Sequence, residues 1–123
     1  MTHEDMMAFA KTWIDNWNRR DVDAVLSHFA ADAEFVSPLA AKYSGTQFLK
    51  GHEAIGGYWR AALSRITTLE FTLDHAIWDE RRRELLVVTD ANLNGERRRA
   101  AEIMCFGADG QQIRGEALYG ATL

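Results

Sequence analysis

Hydrophobic positions in the first half of the chain repeat with the period of an α-helix. Apolar residues recur at three- and four-residue steps over about residues 4–18, and again from residue 51 to about 64 or 66. Between these segments, Asp21 precedes a short apolar run and can cap a second helix ending near Ala30. The pattern therefore predicts three helices.

The second half of the chain changes to a period of two, which is typical of β-strands. Asn94-Gly95 and Asp109-Gly110 are hairpin signals between apolar runs. An earlier short strand is stopped by Pro38 and followed by about a dozen loop residues. The predicted strands are 33–36, 71–78, 85–93, 100–106 and 112–120. Helices followed by antiparallel strands predict one α+β domain over residues 1–123.

Composition and charge are those of a folded globular chain without a nucleic-acid partner. Hydrophobic residues make up 47% and charged residues 26%, while the net charge is −4. Two arginine clusters, at 81–83 and 97–99, lie among acidic residues and are interpreted as solvated strand ends. Binding to a phosphate backbone is not expected from this charge balance.

The sequence carries no signal for a disulfide, a metal site or a cofactor. Cys105 is the single cysteine and is interpreted as a core or interface residue. The four histidines lack metal-ligand spacing, and neither a phosphate-binding glycine loop nor a dinucleotide motif is present. The acidic N-terminus and the lack of a long apolar stretch predict no signal peptide or membrane span, which favours the cytoplasm.

Several segments together resemble one superfamily. They are Trp17-Asn18-Arg19-Arg20-Asp21-Val22-Asp23-Ala24-Val25, Phe29-Ala30-Ala31-Asp32-Ala33-Glu34-Phe35, Ser37-Pro38 and Gly51-His52-Glu53-Ala54-Ile55. With the order of elements, they resemble the nuclear transport factor 2-like superfamily, in particular its SnoaL-like branch. The resemblance implies a cone-shaped barrel: helices packed on a strongly curved antiparallel sheet around an apolar pocket, with a sheet surface that mediates dimerisation.

This resemblance does not imply one activity, because the superfamily includes steroid isomerases, polyketide cyclases, dehydratases, epoxide hydrolases and non-catalytic binding proteins. Against the ketosteroid isomerase pattern, the general base falls on Ser37 and the phenol donor on Trp13. The supporting tyrosines fall on Phe29 and Trp59, and one carboxyl survives as Glu102. Steroid isomerisation by that mechanism is not expected.

Glu102 shares strand parity with Met104, and the resemblance implies that this face looks into the pocket. A hairpin centred on Asp109 predicts that Glu116 lies across from Glu102, and Arg114 across from Met104. Two interpretations remain open. Glu102 and Glu116 could act as an acid and a base, or Arg114 could neutralise the two carboxylates in a structural salt bridge. A one-residue error in register would remove the pairing.

Further pocket candidates are polar or aromatic residues. Asp90 is the polar residue within an apolar strand, and its facing is not fixed by the sequence. The predicted ligand-binding set is Trp13, Trp17, Phe35, Ser37, Tyr58, Trp59, Phe71, Asp90, Met104, Arg114 and Leu118, with Glu102 and Glu116 as catalytic candidates. Its aromatic surface suits a flat apolar guest.

Three functional hypotheses follow. The first is a cofactor-free isomerase, cyclase, dehydratase or hydrolase acting on a small apolar, cyclic molecule by proton transfer. The second is a non-catalytic ligand-binding or dimerisation module. The third is an interaction domain that uses the odd-numbered strand face, for which a homodimer is the simpler explanation. That face comprises Ala101, Ile103, Cys105, Ile113, Ala117 and Tyr119.

Overall fold

The computed structural model describes residues 1–123, which form helices packed against one curved six-stranded sheet. The helices are α1 (His3–Asn18), α2 (Val22–Leu26), α3 (Ala41–Ser44) and α4 (His52–Leu63), with a 3₁₀ turn at Pro38–Ala40. The strands are β1 (Phe29–Val36), β2 (Phe48–Lys50), β3 (Leu69–Asp79), β4 (Glu84–Leu93), β5 (Glu96–Phe106) and β6 (Gln112–Thr122).

Helix α1 begins at a capping box and buries one apolar face. Thr2 accepts a hydrogen bond from the Asp5 backbone N–H, and the Asp5 carboxylate accepts one from the Thr2 N–H. The helix buries Met6, Trp13 and Trp17 among other residues, as its periodicity predicted. Its last turn is attached to β3, where the Asn18 amide both donates to and accepts from the backbone of Phe71, at 2.9 and 2.8 Å.

The strand order is β2-β1-β6-β5-β4-β3, so the sheet is open and has β2 and β3 at its edges. Neighbouring strands are antiparallel except for β1 and β6, which are parallel. Side chains alternate between an inner face, which packs on the helices, and an outer face. Along β4 the inner positions are the odd-numbered ones, including Leu85, Val87 and Thr89, all of which are buried.

The order of the predicted elements is confirmed, and the main differences lie between residues 26 and 50. Helix α2 ends at Leu26 rather than near Ala30, because β1 already begins at Phe29 and pairs with β6. The segment predicted as loop contains α3 and the short strand β2, which pairs with the end of β1. Three residues of strand carry little periodicity of their own, so β2 is defined by its partner rather than by its sequence.

Candidate functional site

An apolar cavity of about 140 Å³ lies between α1, α4 and the inner face of the sheet. Eighteen of its twenty lining residues are hydrophobic, and the two exceptions are Thr89 and Glu102. The aromatic members are Trp13, Trp17, Phe35, Tyr43, Tyr58, Trp59, Phe71 and Tyr119. An engineered apolar cavity of about 150 Å³ binds benzene, so a volume of this size suits one small ring.

Glu102 is the one carboxyl group of this cavity, and it is buried without a partner. Its side chain is on the inner face of β5 and is 7% exposed, and Oε2 makes no hydrogen bond. Burial raises the pKa of the Glu102 carboxyl to about 8 because no positive charge or donor stabilises the anion. The group is therefore mostly protonated at neutral pH and can donate a proton.

Two phenols accompany Glu102. The Tyr58 hydroxyl lies 3.4 Å from the Ser37 hydroxyl, with which it shares a hydrogen bond. Burial raises the pKa of Tyr58 and the pKa of Tyr119, and the nearby Glu102 carboxyl raises both further. Both phenols therefore keep their protons at neutral pH and act as hydrogen-bond donors.

Trp13 adds a further donor on the helical side of the cavity. Its ring stacks on Phe71, with ring centroids 6.0 Å apart and an interplanar angle of 23°. It also meets Trp17 edge to face. The indole Nε1 of Trp13 is buried and has no hydrogen-bond partner, although an indole N–H is an obligate donor. The indole Nε1 of Trp78, which is not part of the cavity lining, is buried without a partner as well.

The predicted pairing of Glu102 with Glu116 is wrong. Phe106 pairs with Gln112 as the hairpin signal predicted, but a bulge follows and Cys105 pairs with Arg114. The pairs from Cys105 to Ala100 are therefore shifted by one residue, so that Glu102 lies across from Ala117 and Glu116 across from Ile103. Glu116 belongs to the outer face, which excludes it as a pocket acid or base.

Three other candidates also lie away from the cavity. Arg114 is a neighbour of Cys105 rather than Met104, and it donates to the Glu116 carboxylate at 3.0 Å. Asp90 alternates with the buried residues of β4, faces outward and forms an ion pair with Arg97. Met104 is on the inner face but is completely buried in the core, outside the cavity lining. The salt bridge expected around Arg114 therefore forms without Glu102.

The remaining candidates are brought together. Trp13, Trp17, Phe35, Tyr58, Trp59, Phe71, Glu102 and Leu118 line the cavity. Leu118 is at the rim and is 41% exposed. Ser37 lies behind Tyr58, and its hydroxyl also accepts from the Leu39 N–H to cap the 3₁₀ turn. Ser37 therefore orients a phenol from outside the lining.

Twelve of the twenty lining residues are absent from the predicted set, and the aromatic ones among them are Tyr43 and Tyr119. Tyr119 was assigned to the outer face with Ala117, and the same bulge turns both of them inward. Tyr43 belongs to α3, in the segment that was interpreted as loop, and its ring lies 5.9 Å from that of Tyr58. Tyr119 faces the cavity because of the bulge next to the hairpin turn, and the sequence contains no pattern that predicts this bulge.

Two further observations concern membrane-spanning helices and clusters of metal ligands. No helix of the protein combines the length and the apolar character needed to span a membrane. No group of three or more His, Cys, Asp or Glu side chains is arranged to hold a metal ion. The polar groups of the cavity lining are the Glu102 carboxyl, the Thr89 hydroxyl, three phenols and three indole N–H groups.

Helices covering an open, strongly curved sheet around an apolar cavity define the nuclear transport factor 2-like class of α+β proteins. The model of the SnoaL-like domain family matches residues 10–115, and the chain belongs to this family. A comparison with curated protein sequences finds no match.

Solved structures agree with this assignment. A SnoaL-like protein of unknown function from Burkholderia thailandensis is 32% identical, with a TM-score of 0.85 over 98% of this chain and 99% of that one. An NTF2-like protein of unknown function from Burkholderia pseudomallei is 18% identical, with a TM-score of 0.80 over 97% and 92%. The epoxide hydrolase/cyclase-like enzyme SalBIII, described in pyran ring formation, is 16% identical, with a TM-score of 0.73 over 98% and 95%. The last two likenesses establish the fold alone.

Proposed function

We propose that this protein binds a small apolar, cyclic molecule in the cavity and transfers a proton to or from it through Glu102, without a cofactor. The observation that carries the proposal is the buried, unpartnered Glu102 carboxyl in an otherwise apolar cavity. A buried polar atom without a hydrogen-bond partner destabilises the folded protein. A ligand that forms a hydrogen bond with the Glu102 carboxyl would offset this cost.

The acidity of Glu102 fits this role. A general acid or base works best when its pKa lies near the working pH, and the pKa of Glu102 is raised to about 8 by burial. Isomerases, cyclases, dehydratases and hydrolases all need such a proton transfer. SalBIII, an epoxide hydrolase/cyclase-like enzyme of the same fold, supports ring chemistry as a class of reaction that this scaffold can host.

A non-catalytic binding module is the second candidate, and one observation favours it. Proton transfer commonly uses a second titrating group, yet Glu116 is on the outer face and Ser37 takes the position of the general base of ketosteroid isomerases. Under this alternative, Glu102 and the phenols only orient a ligand by hydrogen bonds.

A general-base probe separates the two candidates. Glu102 as a carboxylate can take the ring C–H proton of 5-nitrobenzisoxazole while the N–O bond breaks, giving a coloured cyanophenolate. We expect the protein at about pH 9 to accelerate this reaction at least about tenfold over the Glu102→Gln variant. Glu116→Gln is the matched control, because it makes the same change on the outer face and should keep the wild-type rate.

The rate of probe cleavage is interpreted together with the affinity of each protein for the probe. Equal rates for wild type and Glu102→Gln, with the probe bound by both proteins, would leave the binding module as the function. A protein that binds no small aromatic molecule would refute both candidates.

A further inference from the structure

The backbone at Gly115 lies beside two buried polar side chains. A Cβ at this position would stand 3.0 Å from Gln112 Nε2 and 3.4 Å from Glu102 Oε2, so both atoms lie close to the same point. The third neighbour of that point is Cδ1 of Phe35, which forms no hydrogen bond. Because residue 115 has no side chain, the Gln112 amide and the Glu102 carboxyl approach each other across the space that a side chain would fill.

The two oxygens of the Glu102 carboxyl differ in their surroundings. Oε2, the oxygen beside Gly115, is fully enclosed and has no hydrogen-bond partner. Oε1 is not enclosed in this way, and Glu102 is part of the cavity lining. The carboxyl therefore presents Oε1 to the cavity, while Oε2 lies on the side of Gln112.

The Gln112 amide has a hydrogen that is not used. Its side chain is completely buried, and Nε2 donates to the Arg114 carbonyl at 3.2 Å. An amide nitrogen carries two hydrogens, so one remains free. The bond to Arg114 also fixes the direction of the amide, since the opposite orientation would place two oxygens against each other. Nε2 is thus held next to Oε2 of Glu102 with a free donor.

No charged group competes with this amide for Glu102. The other titratable residues of the cavity lining are Tyr43 on α3, Tyr58 on α4 and Tyr119 on β6, and the residues that α1, β1, β3 and β4 contribute carry no charge. Burial raises the pKa of Tyr58 and the pKa of Tyr119, so both phenols are neutral. An ionised Glu102 therefore depends on neutral hydrogen-bond donors for its stability.

We propose that Gln112 is a positioning residue for Glu102: when Glu102 is ionised, the free Nε2–H donates to Oε2, and this leaves Oε1 to take a proton from the ligand or to return it. The inference rests on the proposed function, in which Glu102 exchanges a proton with a bound molecule. Only that proton moves, between the ligand and Oε1. Gln112 stabilises the anion and orients it without touching the ligand.

An NMR titration of the Glu102 carboxyl carbon tests this role in the whole protein. The pKa of Glu102 should be higher in Gln112→Met than in wild type by about one to two pH units, the range for one hydrogen bond to a charged group. Methionine fills the core with a side chain of similar length and removes the N–H. Gln111→Met makes the same change at an exposed neighbouring position and should leave the pKa of Glu102 unchanged.

The pH profile of 5-nitrobenzisoxazole cleavage is the second measurement. The rate should rise with pH through the pKa of Glu102, and the midpoint of this rise in Gln112→Met should move upward together with the NMR value. If Gln112 only supported the bulge in β6, its removal would loosen the site and admit water, which lowers the pKa of a buried carboxyl. The direction of the change therefore separates a positioning role from a structural one.

Wild-type protein provides a measurement that does not require the variant to fold. One Gln112 Nε2 proton should shift downfield as pH rises from about 6.5 to about 9.5, because it then donates to a carboxylate. The same resonance should not move in Glu102→Gln.

The results distinguish this inference from the proposed function. An unchanged or lower pKa of Glu102 in Gln112→Met, or Gln112 amide protons that do not respond to pH, would overturn the role of Gln112 and leave the proposed function intact. Equal cleavage rates in wild type and Glu102→Gln would instead refute proton transfer by Glu102, and this inference with it.

Discussion

Glu102 lies across from Ala117 in the β5–β6 hairpin, so a methyl group faces its carboxyl where a second carboxylate was predicted. The raised pKa of Glu102 therefore has burial as its cause, not repulsion between two acids. The pKa of a lone buried carboxyl depends on the polarity of its surroundings and on solvent access. The pH dependence of the unfolding free energy measures this pKa.

Stability should fall as pH rises through the pKa of Glu102. The pKa is about 8 in the folded protein against 4.5 in the unfolded chain, so the folded state holds the proton more tightly. The stabilising contribution is fully present below about pH 4.5 and is lost as pH rises to about 8, amounting to roughly 3 to 5 kcal/mol. Urea unfolding at several pH values measures it.

The comparison with Glu102→Gln removes the contribution of every other titrating group. The unfolding free energy of wild type should fall relative to that of this variant between about pH 4.5 and pH 8, so that Glu102→Gln becomes relatively more stable, because the amide does not titrate. Glu116→Gln should follow the wild-type curve, since Glu102 is intact. A pH-independent difference would contradict the buried, protonated state.

Gly115 should tolerate no side chain. A Cβ at this position would lie 3.0 Å from Gln112 Nε2, 3.1 Å from Phe35 Cδ1 and 3.4 Å from Glu102 Oε2. Gln112 and Phe35 are themselves buried and cannot easily move aside. Gly115→Ala should therefore destabilise the protein by about 1 to 3 kcal/mol through overpacking, as measured by urea unfolding.

Gly57→Ala is the matched control for this substitution. Gly57 belongs to α4, and a Cβ there would meet nothing within 4 Å. Alanine has the higher helix propensity, so this variant should gain about 0.5 to 1 kcal/mol. Destabilisation of both variants by similar amounts would contradict the packing account of Gly115.

Asn18 should matter for the attachment of α1 to the edge strand. Its amide donates to the Phe71 carbonyl and accepts from the Phe71 N–H, which no carboxylate can do. Asn18→Asp should cost about 1 kcal/mol and loosen Phe71, a wall of the cavity. Hydrogen exchange at the Phe71 amide and urea unfolding would detect these effects.

Asn92→Asp provides the contrast for Asn18. The Asn92 side chain accepts from the Gly95 N–H at 2.9 Å, and its nitrogen makes no hydrogen bond. An aspartate keeps that acceptor, so stability should change by less than about 0.5 kcal/mol. Equal losses at the two sites would contradict the two-bond role of Asn18.

The homodimer expected from the outer sheet face stays a prediction, with its residues now corrected. Ala101, Ala117 and Tyr119 line the cavity, with Leu118 at its rim, while Ile77 and Ile113 are exposed hydrophobic residues. Ile103 is on the outer face opposite Glu116. We expect a dimer in sedimentation velocity and a monomer for Ile103→Arg, because a buried unpaired charge opposes the interface.

A charge placed elsewhere controls for general effects. Ala8 is exposed on α1, which packs on the other side of the sheet, so Ala8→Arg should leave the dimer unchanged. A monomeric wild type at micromolar concentration would contradict the expected assembly.

The sequence by itself determined α1, α2, α4, the long strands and the family, but not α3 or β2. The apolar face of α1 and the alternation along β4 are local patterns, and each specifies which side of its element is buried. The resemblance to the superfamily, rather than a local pattern, identified Glu102, Trp13 and Trp59 as pocket residues. The hairpin signal fixed the Phe106–Gln112 pair beside the turn.

Only the tertiary structure decided which residues meet inside the cavity. One extra residue in β6 after Gln112 moves Glu116 to the outer face and brings Tyr119 inward. A bulge depends on how two strands twist and pack against their neighbours, and because side chains alternate, a single residue reverses every facing beyond it. The unsatisfied Trp13 N–H is likewise a property of packing, since its burial arises from Phe71 and Trp17 together.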